Sequence, residues 1–133
     1  MLKQTDLEAL KRIQGDGYWY LATPYSKYPD GIEMAFRLAC LSASELVREG
    51  IRVYCPIAHT HPIAMHGNMD PYDHGLWMSI DAPFMEASVG LLVVMMRTWQ
   101  ESKGIQMEIR EFTGRNKPVH YIDCIDGMKI DRV

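Results

Sequence analysis

Cysteine is scarce in this chain, and an excess of either charge is missing. Three cysteines, Cys40, Cys55 and Cys124, stand far apart with no CxxC pair. That spacing excludes a disulfide framework and predicts free thiols in a reducing compartment. The longest apolar run, Val89 to Met96, falls far short of the roughly 20 residues that carry a helix across a bilayer. Lys and Arg number 14 against 17 Asp and Glu, a net charge of −3. The chain therefore lacks the electrostatic footprint of a protein that binds a nucleic-acid polymer or an anionic membrane. Residues 1–14 alternate charge with isolated apolar positions and do not read as a secretory signal, so the expected location is cytoplasmic. Repeats and low-complexity stretches are also missing. At 133 residues the chain is one domain's worth, too short for a (β/α)₈ barrel of roughly 250.

What is present is ordinary globular material, 47% apolar and 23% charged. Thr5-Asp6-Leu7-Glu8 fits a capping box for a short helix over 5–14 that Gly15 can end. Tyr18 to Ala22 reads as a buried strand stopped by Pro24. Ile32, Phe36, Ala39, Cys40, Ala43, Leu46 and Val47 recur at helical spacing, with Gly50 closing the helix. Ile51 to Cys55 is β-rich. Residues 57–76 show little period and read as a long functional loop holding at most a helical turn. A helix over 76–86, a continuous apolar strand over 89–96, a helix over 102–112 and a strand over 117–122 complete the order. The alternation predicts an α/β, Rossmann-like parallel sheet of about four to five strands with helices on both faces. In such sheets ligands sit beyond the carboxyl ends of the strands. Segments 22–31, 55–75 and 96–108 are the ones to search.

Four groups there bear chemistry. Tyr20 to Ser26 offers small residues at a strand end, where Thr23 and Ser26 can hydrogen-bond a sugar or phosphate; taken alone, a strand running into an ordinary turn is the favoured reading. Ser102 can cap a helix whose first-turn amides make an anion site, and Gly104 lets a phosphate come close. Glu108 stands one turn beyond Gly104 and can face the same cleft. A solvated glutamate paired with Arg110, Lys103 or Arg115 is the alternative. Asp81 is either a second carboxylate at the cleft mouth or a cap for a helical turn. His59, His61, His66 and His74, with Asp70 and Asp73, form the last group. His59 and His61 share a face if the chain is extended, but no HExxH or other closing ligand set follows. Histidines lining an anion pocket are favoured over a metal site, and plain loop hydrogen bonding stays open. Trp77 and Trp99 can stack a base or fill the core.

Together these runs resemble the nucleoside 2-deoxyribosyltransferase superfamily. Tyr20-Leu21-Ala22-Thr23-Pro24-Tyr25 is similar to its opening strand, and Gly104-x-x-x-Glu108 followed by Lys117-Pro118-Val119 to its glutamate helix and next strand. A closer likeness is to a bacterial and phage branch of unassigned function. That branch shares LA-x-PYS, His61-Pro62-Ile63, LW-x-x-x-DA (Leu76 to Ala82) and W-x-x-S-x-GI-x-x-x-E (Trp99 to Glu108). By this resemblance Glu108 is the nucleophile and Asp81 assists the leaving base. The position six residues before the nucleophile is Ser102. Nucleoside 5′-monophosphate N-glycosidases carry a phosphate-binding serine there, and the transferases acting on free nucleosides carry an aspartate.

The resemblance implies cleavage of the N-glycosidic bond of a nucleoside 5′-monophosphate-like substrate through a covalent glycosyl-glutamate. Base exchange by a deoxyribosyltransferase and a non-catalytic nucleotide-sensing module are the alternatives. A metal hydrolase using the histidines is a third class. Tyr20, Thr23, Ser26, His61, Trp99, Ser102 and Gly104 are the expected substrate-binding residues. The chemistry calls for no cofactor and no metal. The expected partners are a small nucleotide or nucleoside and, by resemblance, further copies of the chain in a homo-oligomer.

Overall fold

The computed structural model describes residues 4–123, and in them strands and helices alternate as the sequence leads one to expect. The order is α1 (Gln4–Gln14), β1 (Trp19–Ala22), α2 (Ile32–Arg48), β2 (Val53–Tyr54), α3 (Pro56–His66), α4 (His74–Ala87), β3 (Gly90–Met95), a 3-10 turn (Trp99–Glu101), α5 (Lys103–Gly114) and β4 (Val119–Asp123). The four strands form one parallel sheet in the order β2-β1-β3-β4. Cys124 lies outside the described residues. None of the described helices is long and apolar enough to cross a membrane.

Two-residue alternation builds both halves of the core. Trp19 and Leu21 of β1, with Leu92 and Val94 of β3, pack under α1 and α2. Their neighbours Tyr20, Ala22, Leu91 and Val93 point the other way, against Met85 of α4 and Ile105 and Phe112 of α5. Both faces of the central strands are thus covered, as a parallel sheet requires. The chain runs from β1 outward to β2, then returns past β1 to start β3. The carboxyl ends of β1 and β3 therefore diverge at a topological switch point, where such sheets hold ligands.

Close packing fixes the register at this junction. Trp19 pairs with Gly90, and a Cβ on Gly90 would lie 2.6 Å from both the Pro118 carbonyl oxygen and Trp19 Cζ3. A backbone carbonyl cannot yield that far. Gly90→Ala is therefore expected to cost about 2–3 kcal/mol, the upper end for overpacking. The urea midpoint should drop with an unchanged slope; a midpoint equal to wild type would show that the sheet relaxes freely. Lys117 ties the layers beside it, its Nζ donating to the carbonyls of Met85 (3.2 Å), Ser88 (2.7 Å) and Glu86. A cation there also suits the carboxyl end of α4.

Two local expectations need correction. The first described helix already includes Gln4, so Thr5 lies inside it and Thr5–Glu8 is not its cap. Residues 57–76 are not mainly loop, because α3 is an 11-residue helix. Pro56 takes the first helical position, where a missing N–H costs nothing. The buried face of α3 is Pro56, Thr60, His61 and Ala64. With two polar residues and an alanine on it, the helical period carries almost no hydrophobic signal, and Pro62 inside the helix hides it further.

Candidate functional site

A cleft opens at the switch point, and three helix starts surround it. On α4, His74, Trp77, Met78 and Asp81 recur at spacings of three and four, so one face of that helix lines the cavity. Asp73 caps α4 by accepting from the Leu76 amide at 3.3 Å. Asp81 therefore sits inside the helix as a cleft carboxylate and is not the cap of a turn. On α5, Ser102, Gly104 and Glu108 line the same cavity. Thr23 and Ser26 enter from the end of β1, and Pro56, Ile57 and Thr60 from the start of α3.

Ser102 is the N-cap of α5, its hydroxyl accepting from the Ile105 amide at 3.2 Å. The amides of Lys103 and Gly104 are left facing outward, as at any helix start. A Cβ at Gly104 would meet only the Ser102 hydroxyl, at 3.9 Å. Packing does not demand glycine there; the empty space is on the cleft side. Arg97 steadies the loop that carries Ser26, pairing with Asp30 and standing 5.3 Å over the Tyr28 ring.

The cavity encloses about 100 Å³. A second compartment of about 210 Å³ adjoins it and shares Tyr25, Ser26, His74 and Ser102. Charge is segregated between the two. Both carboxylates face the first, whereas Lys27 and Lys103 line the second with Thr98. Neither alone reaches the roughly 300 Å³ at which small-molecule pockets begin; the four shared residues form the wall between them.

The electrostatics of the first compartment are unusual for carboxylates. Glu108 is 8% exposed and lies on the buried face of α5 with Ile105 and Phe112. Burial pushes its carboxyl up to about 8; the Asp81 charge adds to the rise, and the nearby Tyr20 hydroxyl opposes it. Asp81, equally buried, is pushed up to about 6 by desolvation, with Tyr54 pulling the other way. Glu108 thus holds a proton more tightly than Asp81. Tyr20 lies wholly buried beneath the cavity, and its hydroxyl makes no hydrogen bond of ordinary geometry among the described residues. The Thr23 hydroxyl, in a residue 6% exposed, is likewise unpartnered.

Six of the nine expected site residues thus meet in one cavity: Thr23, Ser26, Asp81, Ser102, Gly104 and Glu108. The profile of a family described as Domain of unknown function (DUF1937) matches residues 17–123. The chain belongs to the DUF1937 family. No curated protein matches it. The DUF1937 match includes every residue lining the cleft and leaves α1 outside.

Three expected residues of this DUF1937 domain stand elsewhere. Tyr20 is under the floor, within reach of Glu108 but not in the wall. Trp99 packs on Tyr121 with ring centroids 5.5 Å apart; Trp77 is the tryptophan that lines the cleft. His61 is behind the wall, its Nδ1 2.6 Å from the Tyr25 hydroxyl and its ring stacked on Phe36 at 4.5 Å. Its Nε2 is 3.6 Å from Glu33, too long for a hydrogen bond. Because α3 is helical, His59 and His61 sit on different faces and cannot pair as on an extended strand. Among the described residues, no three His, Cys, Asp or Glu are placed to hold a metal ion. Met78 and Thr60 line the cavity without having been singled out from the sequence, whereas His74 and Trp77 were candidates there, as a pocket histidine and a base-stacking ring, but not among the expected substrate contacts. LW-x-x-x-DA contained the signal, since its tryptophan lies one helical turn before the aspartate.

Proposed function

We propose that this domain cleaves the N-glycosidic bond of a nucleoside 5′-monophosphate-like substrate, as a relative of the nucleoside 2-deoxyribosyltransferase superfamily. The observation that supports this reading is the placement of Glu108 and Asp81 in one buried cavity that opens onto the first turn of α5. The Glu108 carboxylate forms a bond to C1′ as the C1′–N bond breaks, and the electron pair leaves with the base. Asp81 donates the proton that the departing nitrogen takes up. Water then attacks C1′ of the glycosyl ester, gives its proton back to Asp81 and frees Glu108. The Ser102 hydroxyl and the Lys103 and Gly104 amides hold the phosphate, with Lys27 and Lys103 behind it. Trp77, not Trp99, is the stacking surface for the base. In this reading the protein acts as a cytoplasmic homo-oligomer; the exposed Met69, Tyr72, Leu76 and Ile80 give apolar surface near the cleft for a neighbouring copy.

One proton shared by the two carboxyls is the number that attack requires. Between the two it resides on Glu108, so substrate must draw it to Asp81. That same preference supports a second reading, a nucleotide-binding module that never cleaves. Incubation with a panel of nucleoside monophosphates and free nucleosides separates the two. Free base is expected, at least about tenfold faster from the monophosphates, since two charge-assisted phosphate contacts are lost without them. Tight nucleotide binding with no base released would select the sensing module.

A further inference from the structure

Tyr54 stands outside the cavity wall, yet it touches Asp81. Its hydroxyl donates to Asp81 Oδ1 at 3.4 Å. The ring cannot swing away, because it is stacked on Phe84 with centroids 4.1 Å apart and planes 5° from parallel. Phe84 is one helical turn beyond Asp81 on α4, so the helix that carries the carboxylate also clamps the group that contacts it. Tyr20 from β1 closes one side of the ring at 5.8 Å and His59 from α3 the other at 5.9 Å.

We infer that Tyr54 is a positioning residue for Asp81, fixing which way its carboxyl faces and favouring its ionised form. The inference rests on the reading of Asp81 as the proton donor, and it names a residue that this reading did not contain. Towards an ionised Asp81 the hydroxyl can only donate, since a carboxylate has no proton to offer and burial holds the Tyr54 proton in place. A donor held against one oxygen stabilises the carboxylate more than the acid. The second oxygen is left for the cleft, where proton delivery takes place. The groups facing Asp81 are few. Glu108 approaches from α5 and Tyr20 from β1, while His59 sits beyond the Tyr54 ring.

Tyr54→Phe keeps the stacked ring and removes only the donor. Following the Asp81 carboxyl ¹³C resonance against pH, with Asp81→Asn to identify it, reads the effect without any turnover. The titration midpoint is expected to rise by about one unit, the low end for one hydrogen bond to a charged group, since the contact is long. If base release occurs, the alkaline limb of its pH profile should rise by the same amount. Phe84→Leu loosens the clamp while leaving the hydroxyl, and should move the midpoint the same way by less; it serves if Tyr54→Phe does not fold. A midpoint unmoved in the folded variants would overturn the inference, whatever the activity. A midpoint that rises while no substrate releases base would leave the inference standing and remove the proposed reaction.

Discussion

Glu108→Gln is expected to slow base release by at least about 1000-fold, a loss on the order of 4 kcal/mol of transition-state stabilisation. The amide matches the carboxyl in shape, so the packing against Ile105 and Phe112 survives and the loss is chemical. An amide cannot form the glycosyl ester, and it holds no proton to hand to Asp81. Intact-mass spectrometry after an acid quench should find a sugar-phosphate adduct on the wild-type chain and none on the variant. Base release from Glu108→Gln at the wild-type rate would falsify the nucleophile assignment. Slowed turnover with the adduct still accumulating on the variant, one base released for each adduct formed, would move the covalent role to another residue.

The contrast between Glu108 and Asp81 shows why the site was readable in part. Glu108 announces itself through a chain of local signals: an N-cap serine, a glycine in the first turn, and a carboxylate one turn later. Each is a short-range rule, and the cap is found as expected, with Ser102 accepting from Ile105. Asp81 has no such local signature. It sits mid-helix, and only the way α4 packs against β1 and α5 makes its face a cleft wall. Tyr54 is harder still, since its contact with Asp81 spans 27 residues and nothing in the sequence around either residue marks it.

The fold was legible for the same reason that α3 was not. β1 and β3 are apolar on both faces, and α2 carries its apolar stripe at three- and four-residue spacing; hydrophobic period is a strong signal in each. α3 buries Thr60 and His61 in place of leucines. Thr60 satisfies its hydroxyl on the Pro56 carbonyl at 2.9 Å, and His61 on Tyr25. Polar side chains whose partners come from their own helix or a distant loop are buried at no cost that the sequence displays. The choice between Trp77 and Trp99 failed likewise, because both stand near the carboxyl ends of strands and only tertiary packing decides which faces the cleft.

Folding stability should fall as pH rises from about 4.5 to about 8, and Glu108→Gln should remove most of that fall. The sign follows from where the proton binds more tightly. The Glu108 carboxyl is raised from 4.5 to about 8 in the folded chain. Below 4.5 folded and unfolded forms are both protonated there, and this group sets no pH dependence. Between the two values the unfolded chain has released the proton and the folded chain still holds it, so each unit of pH favours unfolding by about 1.4 kcal/mol. Above about 8 the folded chain must carry a buried anion, and the full loss, on the order of several kcal/mol, is in place. Asp81, raised from 3.8 to about 6, adds a smaller slope of the same sign at lower pH. Urea midpoints at pH 5 and pH 8.5 measure both effects, and subtracting the variant's curve from that of the wild type isolates Glu108 from every other titrating group. Glutamine is neutral at both pH values, so the variant should be the more stable protein at pH 8.5 by a few kcal/mol and close to wild type at pH 5. Equal pH slopes in the two proteins would mean that water reaches Glu108 and keeps it an ordinary carboxylate. Substrate would then have no proton to draw towards Asp81.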